Sequence, residues 1–344
     1  MTAAGPRVLV VGLGGTIAMT GTGGVMPSLS AEQLVDAVPG LAGTGVELEV
    51  LSFRNRPGAS VTLDDLTRLR TVLSGHFEAG AAGAVITQGT DTIEETAYVL
   101  DLLHPGPQPI VVTGAMRNPT LAGADGPANL LAAITVAASP AATGLGCLVT
   151  FADEIHAARR VRKTHSTSIA TFASPDTGPL GHVVEGKTRI LTRAYGRQVL
   201  PAPQVGGTLP KVGLYTATLD DDGAALSALT AQFAGLVIAG FGVGHVPECW
   251  VPKLAEAVAR IPVVLASRTG SGSVLTGTYG FPGSERDLTG RGLIPAGFLH
   301  PYKARLLLSL ALAAGADRGQ IAAAFACAGD QNPDETWPWP PTTA

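Results

Sequence analysis

Val8-Leu9-Val10-Val11-Gly12-Leu13-Gly14-Gly15-Thr16-Ile17-Ala18 opens the chain with an apolar run that breaks into glycines and a threonine. The pattern returns at Ala84-Val85-Ile86-Thr87-Gln88-Gly89-Thr90-Asp91-Thr92. Short apolar runs bounded by glycine read as strands buried on both faces of an α/β sheet. Ligands bind such sheets off the carboxyl ends of the strands, so both threonines fall where an active site is expected. Working outward, Val46 to Phe53, Ile110 to Thr113 and Leu145 to Phe151 read as further strands. Helices are expected from Ala31 to Ala37 behind a Ser30 cap, from Asp64 to Phe77, and from Asp125-Gly126-Pro127, where proline suits a first turn. Thr92-Ile93-Glu94-Glu95 has the spacing of a capping box and predicts another helix start.

Pro201 to Pro210 reads as a linker, rich in Pro and Gly. Beyond it strands are expected at Lys211 to Tyr215, Leu236 to Ala239 and Val263 to Ala266, and helices at Pro252 to Arg260, Tyr302 to Gly315 and Gln320 to Ala326. The division is then 1–200, an α/β domain carrying both threonines; 201–210, a linker; and 211–344, a smaller α/β domain. Alternating elements with short connections argue for parallel sheets covered by helices.

Of 344 residues, 46% are apolar and 15% charged, enough for a buried core and too apolar for disorder. A formal charge of −4 without a basic stripe argues against nucleic acid as a partner. The longest uncharged stretch, Gly126 to Ala152, is interrupted by Pro140, Gly144 and Gly146 and reads as helix then strand, so no membrane span is expected. The first strand begins almost at once, with no signal-peptide layout. Cys147, Cys249 and Cys327 are odd in number and widely spaced, which suggests reduced thiols in a cytoplasmic protein. Neither they nor the scattered histidines have metal-ligand spacing, so no metal is assigned.

Gly12-Leu13-Gly14 resembles the start of a dinucleotide fingerprint, but its third glycine falls at Ile17, whose bulk would spoil the close packing that glycine serves. Amide hydrolysis fits better. A threonine hydroxyl is a weak nucleophile that needs a base and an oxyanion hole. Gly15 and Gly89 leave backbone N–H groups open to a substrate. A lysine able to handle the proton lies in Arg159-Arg160-Val161-Arg162-Lys163-Thr164, a segment that also reads as a solvated basic loop.

The chain resembles the bacterial-type L-asparaginases, which include glutaminase-asparaginases. The matching segments are Gly14 to Ala18, Gln88 to Ala97, Thr113-Gly114-Ala115-Met116-Arg117, Ala124 to Leu130, Val161-Arg162-Lys163-Thr164 with Ala170-Thr171-Phe172, and Lys303-Ala304-Arg305. The resemblance implies a larger N-terminal α/β domain, a smaller C-terminal one, a homo-oligomer (dimer or tetramer), and cofactor-free hydrolysis of the asparagine side-chain amide. It implies Thr16 as nucleophile, Thr90, Asp91 and Lys163 as the proton-handling group, Asp91 also on the substrate ammonium, and the Ala115 carbonyl on the amide.

Three positions depart from the family pattern. A tyrosine normally follows the first threonine on a flexible loop; here Gly24 or Val25 is nearest, and no tyrosine precedes Tyr98. A serine that helps bind the substrate carboxylate aligns with Gly58; Ser60, two positions on, is the expected substitute, and Gly58, Ala59 and Ser60 are expected to border the substrate. A histidine before Gly-Thr-Asp is replaced by Gln88. Small residues at 25 and 58 suggest room for a larger amide; a non-catalytic amino-acid-binding protein is the other alternative. Gly242-Val243-Gly244-His245 matches a loop that approaches a neighbouring subunit's site in the family, and Glu285 is expected to do likewise.

Overall fold

The computed structural model describes residues 5–340 apart from 16, 18, 21–25, 28, 29, 195 and 333. The chain divides into two compact units, the first ending at Val199 and the second beginning at Leu200.

In the first unit β1 (Arg7–Gly12) lies between β2 (Glu47–Ser52) and β3 (Gly83–Thr87), and β4 (Ile110–Thr113) and β5 (Cys147–Phe151) follow, all parallel. Every residue of β3, β4 and β5 is buried, which is why they read as unbroken apolar runs. β2 takes the edge, with Glu47 and Glu49 along it. Register places Ser52, Gly12, Thr87 and Thr113 side by side at the carboxyl ends. The turns that follow these four residues therefore share one rim.

The sheet does not stop at its parallel part. β6 (Glu154–Ala157), β7 (Gly181–Val184) and β8 (Lys187–Ile190) extend it antiparallel to eight strands, in the order β8-β7-β6-β5-β4-β3-β1-β2. Two-residue turns make the hairpins. Ala152 and Asp153 have φ of 49° and 62°, and Glu185 and Gly186 have 51° and 68°, the pair of positive values whose twist matches flanking strands.

Helices α1 (Ala31–Asp36) and α2 (Leu63–Glu78) begin in complete capping boxes, Ser30 with Gln33 and Thr62 with Asp65. α3 (Ile93–Leu103) does not begin in the expected one. Thr90–Thr92 forms a 3₁₀ turn, and the Thr92 hydroxyl, instead of capping, donates to the Gly58 carbonyl at 2.9 Å. α4 (Gly126–Ala137) lies over β3, β4 and β5 and closes a core containing Val85, Val111, Leu130, Ile134 and Leu148.

The second unit is a parallel sheet of β9 (Val212–Thr216), β10 (Gly235–Gly240), β11 (Val263–Ser267) and β12 (Ile294–Pro295), in that order. Its helices are α5 (Ala225–Gln232), α6 (Val251–Arg260), α7 (Glu285–Gly290), α8 (Pro301–Ala313) and α9 (Arg318–Ala328). Trp250, fully buried among Leu226, Ile238 and Leu254, donates its indole N–H to the Asp221 carbonyl at 2.7 Å. Among the described residues no helix is long and apolar enough to cross a membrane. None of the three cysteines is in a disulfide.

Candidate active site

Three of the turns along the rim of the first sheet approach one another through glycines. Gly15, at φ +94°, lies so near Gly89 that a Cβ would stand 2.0 Å from the Gly89 nitrogen. At Gly58 a Cβ would stand 2.7 Å from the Gly89 carbonyl oxygen. No side chain is compatible with these approaches, so backbone meets backbone where β1, β2 and β3 run out.

The candidate side chains stand on this platform. β3 delivers Gln88 and Gly89, and the 3₁₀ turn then presents Thr90, buried, and Asp91, whose side chain is 69% exposed. Lys163 comes from far along the chain. A two-residue ladder pairs it with Phe172, and the Thr164 N–H donates to the Thr171 carbonyl at 2.7 Å. Phe172 packs on Phe151 at a ring separation of 4.9 Å, which ties the ladder to β5. Lys163 Nζ donates to Thr90 Oγ1 at 3.0 Å and to Asp91 Oδ1 at 2.7 Å. One ammonium thus joins a buried hydroxyl to an open carboxylate, an arrangement that can pass a proton between the two.

The fourth turn, Gly114 to Arg117, borders the same place. A Cβ on Gly114 would fall 2.5 Å from the Gln88 carbonyl oxygen and 3.5 Å from the Thr90 methyl. The Asp125 carboxylate accepts the backbone N–H groups of Met116 and Arg117, and Asn129 donates to the Gly114 carbonyl at 3.0 Å. Asn129 also donates to Asp125 and accepts from the Ala152 N–H. Ala115 is buried, and Ile17 lies beside it over Gly126.

Residues 7–195 match the family described as "Asparaginase, N-terminal", and residues 211–325 the "Glutaminase/Asparaginase C-terminal domain". The chain belongs to the asparaginase family. It is 37% identical over 339 residues to a "Probable L-asparaginase" of Deinococcus radiodurans, covering 94% of this chain and 98% of that one. A "Probable L-asparaginase periplasmic" of Haemophilus influenzae is 34% identical over 324 residues, covering 89% and 88%. The crystal structure of a "Probable Cytoplasmic L-asparaginase" from Campylobacter jejuni superposes with a TM-score of 0.83 at 33% identity, over 93% of this chain and 99% of that one.

Within this asparaginase-family chain the structure brings Gly15, Gly58, Gly89, Thr90, Asp91 and Lys163 together, with Ala115 on the adjoining turn. Thr16, Gly24 and Val25 lie outside the described residues. Ala59 and Ser60 are exposed on the 3₁₀ turn that Gly58 begins. Gly58 itself gives no added room, because the Gly89 backbone occupies the place of a side chain. Gln88, fully buried, donates through Nε2 to Thr92 Oγ1 at 3.2 Å. It therefore steadies the turn carrying Thr90 and Asp91.

The support of two turns was not singled out by the sequence reading. Asp125 and Asn129 hold the Gly114 to Arg117 turn; their sequence signals are an Asp-Gly-Pro helix start with an asparagine one turn in and their place in the matching segment Ala124 to Leu130. Asp65 anchors the loop before Gly58 through Arg54 at 2.8 Å and Thr62 at 2.9 Å. Burial opposes its ionisation, but the hydrogen bonds from Arg54 and Thr62 outweigh this and hold its carboxyl below the usual range.

His245 and Glu285 meet in the second unit at 3.1 Å. Glu285 is fully buried and also accepts the N–H groups of Thr278 and Tyr279, at 3.0 and 2.7 Å. Burial works against its charge, yet these backbone donors and His245 pull its pKa below the ordinary value. The His245 ring meets Tyr279 and Phe281 edge-on.

Proposed function

We propose that this protein hydrolyses the side-chain amide of L-asparagine to L-aspartate and ammonia without a cofactor. The Lys163 bridge between Thr90 Oγ1 and Asp91 Oδ1 is the observation that carries this reading. Thr16 Oγ attacks the carboxamide carbon, and N–H groups at Gly15, Gly89 or Thr90 hold the developing oxyanion. The C–N bond breaks, the nitrogen takes up the proton that the Thr16 hydroxyl gives up and leaves as ammonia, and an ester to Thr16 remains. Water, losing its proton toward Thr90, Lys163 and Asp91, then cleaves that ester and restores Thr16. Asp91, open to solvent, also holds the substrate ammonium.

A free amino acid suits the site better than a larger amide, because Gly58 is packed against Gly89 and gives no extra space. Three cysteines, none of them in a disulfide, support a cytoplasmic setting. The protein works as a homo-oligomer in which His245 and Glu285 border a neighbouring subunit's site.

Ammonia release from L-asparagine, with other amides assayed alongside, tests the reading. Thr16→Ala is expected to abolish turnover and Asp91→Ala to raise KM steeply. Wild-type rates in Thr16→Ala would overturn the assignment of the nucleophile.

A further inference from the structure

At the amino-terminal end of β5, away from the rim of turns, the first unit has a half-open cavity of about 250 Å³. Asp101, Cys147, Arg159, Arg197 and Gln198 are among its walls. Arg197 donates from Nη1 to the Gly106 carbonyl at 3.2 Å and from Nη2 to the His104 carbonyl. Its Nε is buried with no hydrogen-bond partner, and the nearby Asp101 Oδ1, at 3.8 Å, is too far to accept from it. Asp101 Oδ1 instead accepts the Cys147 N–H at 2.9 Å. Gln198 is 9% exposed, and its Oε1 is likewise buried without a partner.

A cationic donor and an amide oxygen, both buried and unsatisfied, thus belong to two residues that line one cavity. A buried polar group left without a partner is costly. The volume equals about eight waters at roughly 30 Å³ each, enough for one small molecule. A complementary molecule carries a carboxylate for the guanidinium side and an N–H for Gln198 Oε1. Asp101, the one acidic group named on these walls, would repel a carboxylate and favour the N–H end beside it.

We propose that this cavity is a second, non-catalytic binding site for a small carboxylate bearing an N–H donor, of amino-acid size. Two of its wall residues lie on the chain segments that carry Thr90, Asp91 and Lys163. Asp101 lies near the end of the helix that starts just after Thr90–Thr92. Arg159 lies four residues before Lys163, in a turn whose Arg160 and Val161 N–H groups both donate to the Ala157 carbonyl at 3.0 Å.

The proposal stands apart from the hydrolytic reading and is tested by calorimetry with L-aspartate as the probe. The intact chain is expected to bind two molecules, Asp91→Ala one, and Gln198→Leu one. In the Asp91→Ala chain, L-aspartate is expected to slow hydrogen exchange at the Cys147 amide, a readout that does not depend on Gln198→Leu folding. Loss of all binding in Asp91→Ala with unchanged exchange at Cys147 overturns the second site. Two molecules retained by Gln198→Leu also overturns it. Two retained by Asp91→Ala, with one lost in Gln198→Leu, upholds the cavity and counts instead against Asp91 as the substrate's anchor.

Discussion

Each unit places a carboxylate close to a basic side chain at a glycine-rich turn, and the two differ in what is left for a ligand. In the first, Asp91 takes one hydrogen bond from Lys163 and keeps most of its surface open. In the second, Glu285 is fully buried, with two backbone N–H groups and His245 directed at it. An open carboxylate retains acceptor capacity for a substrate; an enclosed one has used it to fix the loop around Tyr279. Proximity of acid and base alone therefore does not mark a catalytic centre. Unspent hydrogen-bonding capacity marks a place where a ligand can be held.

The largest effect that sharpens this contrast is expected at Lys163. Lys163→Ala should lower kcat for ammonia release by roughly 10²–10⁴, the usual worth of a positioned acid or base, with little change in apparent Tm. A kcat within a factor of three of wild type would remove the distinction between the two carboxylates. Glu285→Gln should act mainly on stability, costing about 1.5–3 kcal/mol, because it takes the charge from a hydrogen-bonded buried acceptor. Glu285 is more acidic folded than unfolded. Its contribution is present above the unfolded value near 4.5 and is lost as pH falls through the folded value. Melting from pH 6 to 3 should thus decline more steeply in wild type than in Glu285→Gln; parallel curves would count against the buried ionised state.

Gly58→Ser supplies the side chain of the family pattern and should still do harm, lowering stability by about 1–3 kcal/mol through overpacking against Gly89. Improved turnover with unchanged melting would mean the two backbones separate freely. The smallest effect is expected for Gln88→His, which can keep a hydrogen bond to Thr92; kcat should change by about fivefold or less, well under the effect expected of a group handling the proton.

The parallel strands were legible because burial on both faces writes itself as an unbroken apolar run. The antiparallel edge was not. Glu154-Ile155-His156-Ala157 and Lys187-Thr188-Arg189-Ile190 carry charges and no long apolar run, and of their turns only Glu185-Gly186 contains a glycine. Thr90, Asp91 and Lys163 could be named, but 72 residues separate Asp91 from Lys163, and periodicity says nothing across such a gap. Only the resemblance joined them in advance. Thr92 misled as a helix cap because its hydroxyl has a tertiary partner, the Gly58 carbonyl, which no local pattern encodes. Gly58 misled for a related reason, since a missing side chain reads as space until another strand end is found filling it.

The glycine contacts at 15, 58 and 89 limit how this enzyme can be re-engineered. A mutational library that varies these three sites singly will return mostly destabilised clones, since each methyl group added there lands on a neighbour's main chain. Altered selectivity is better sought among the outward-facing groups bordering the platform, Ala59 and Ser60 first, where new side chains have somewhere to go.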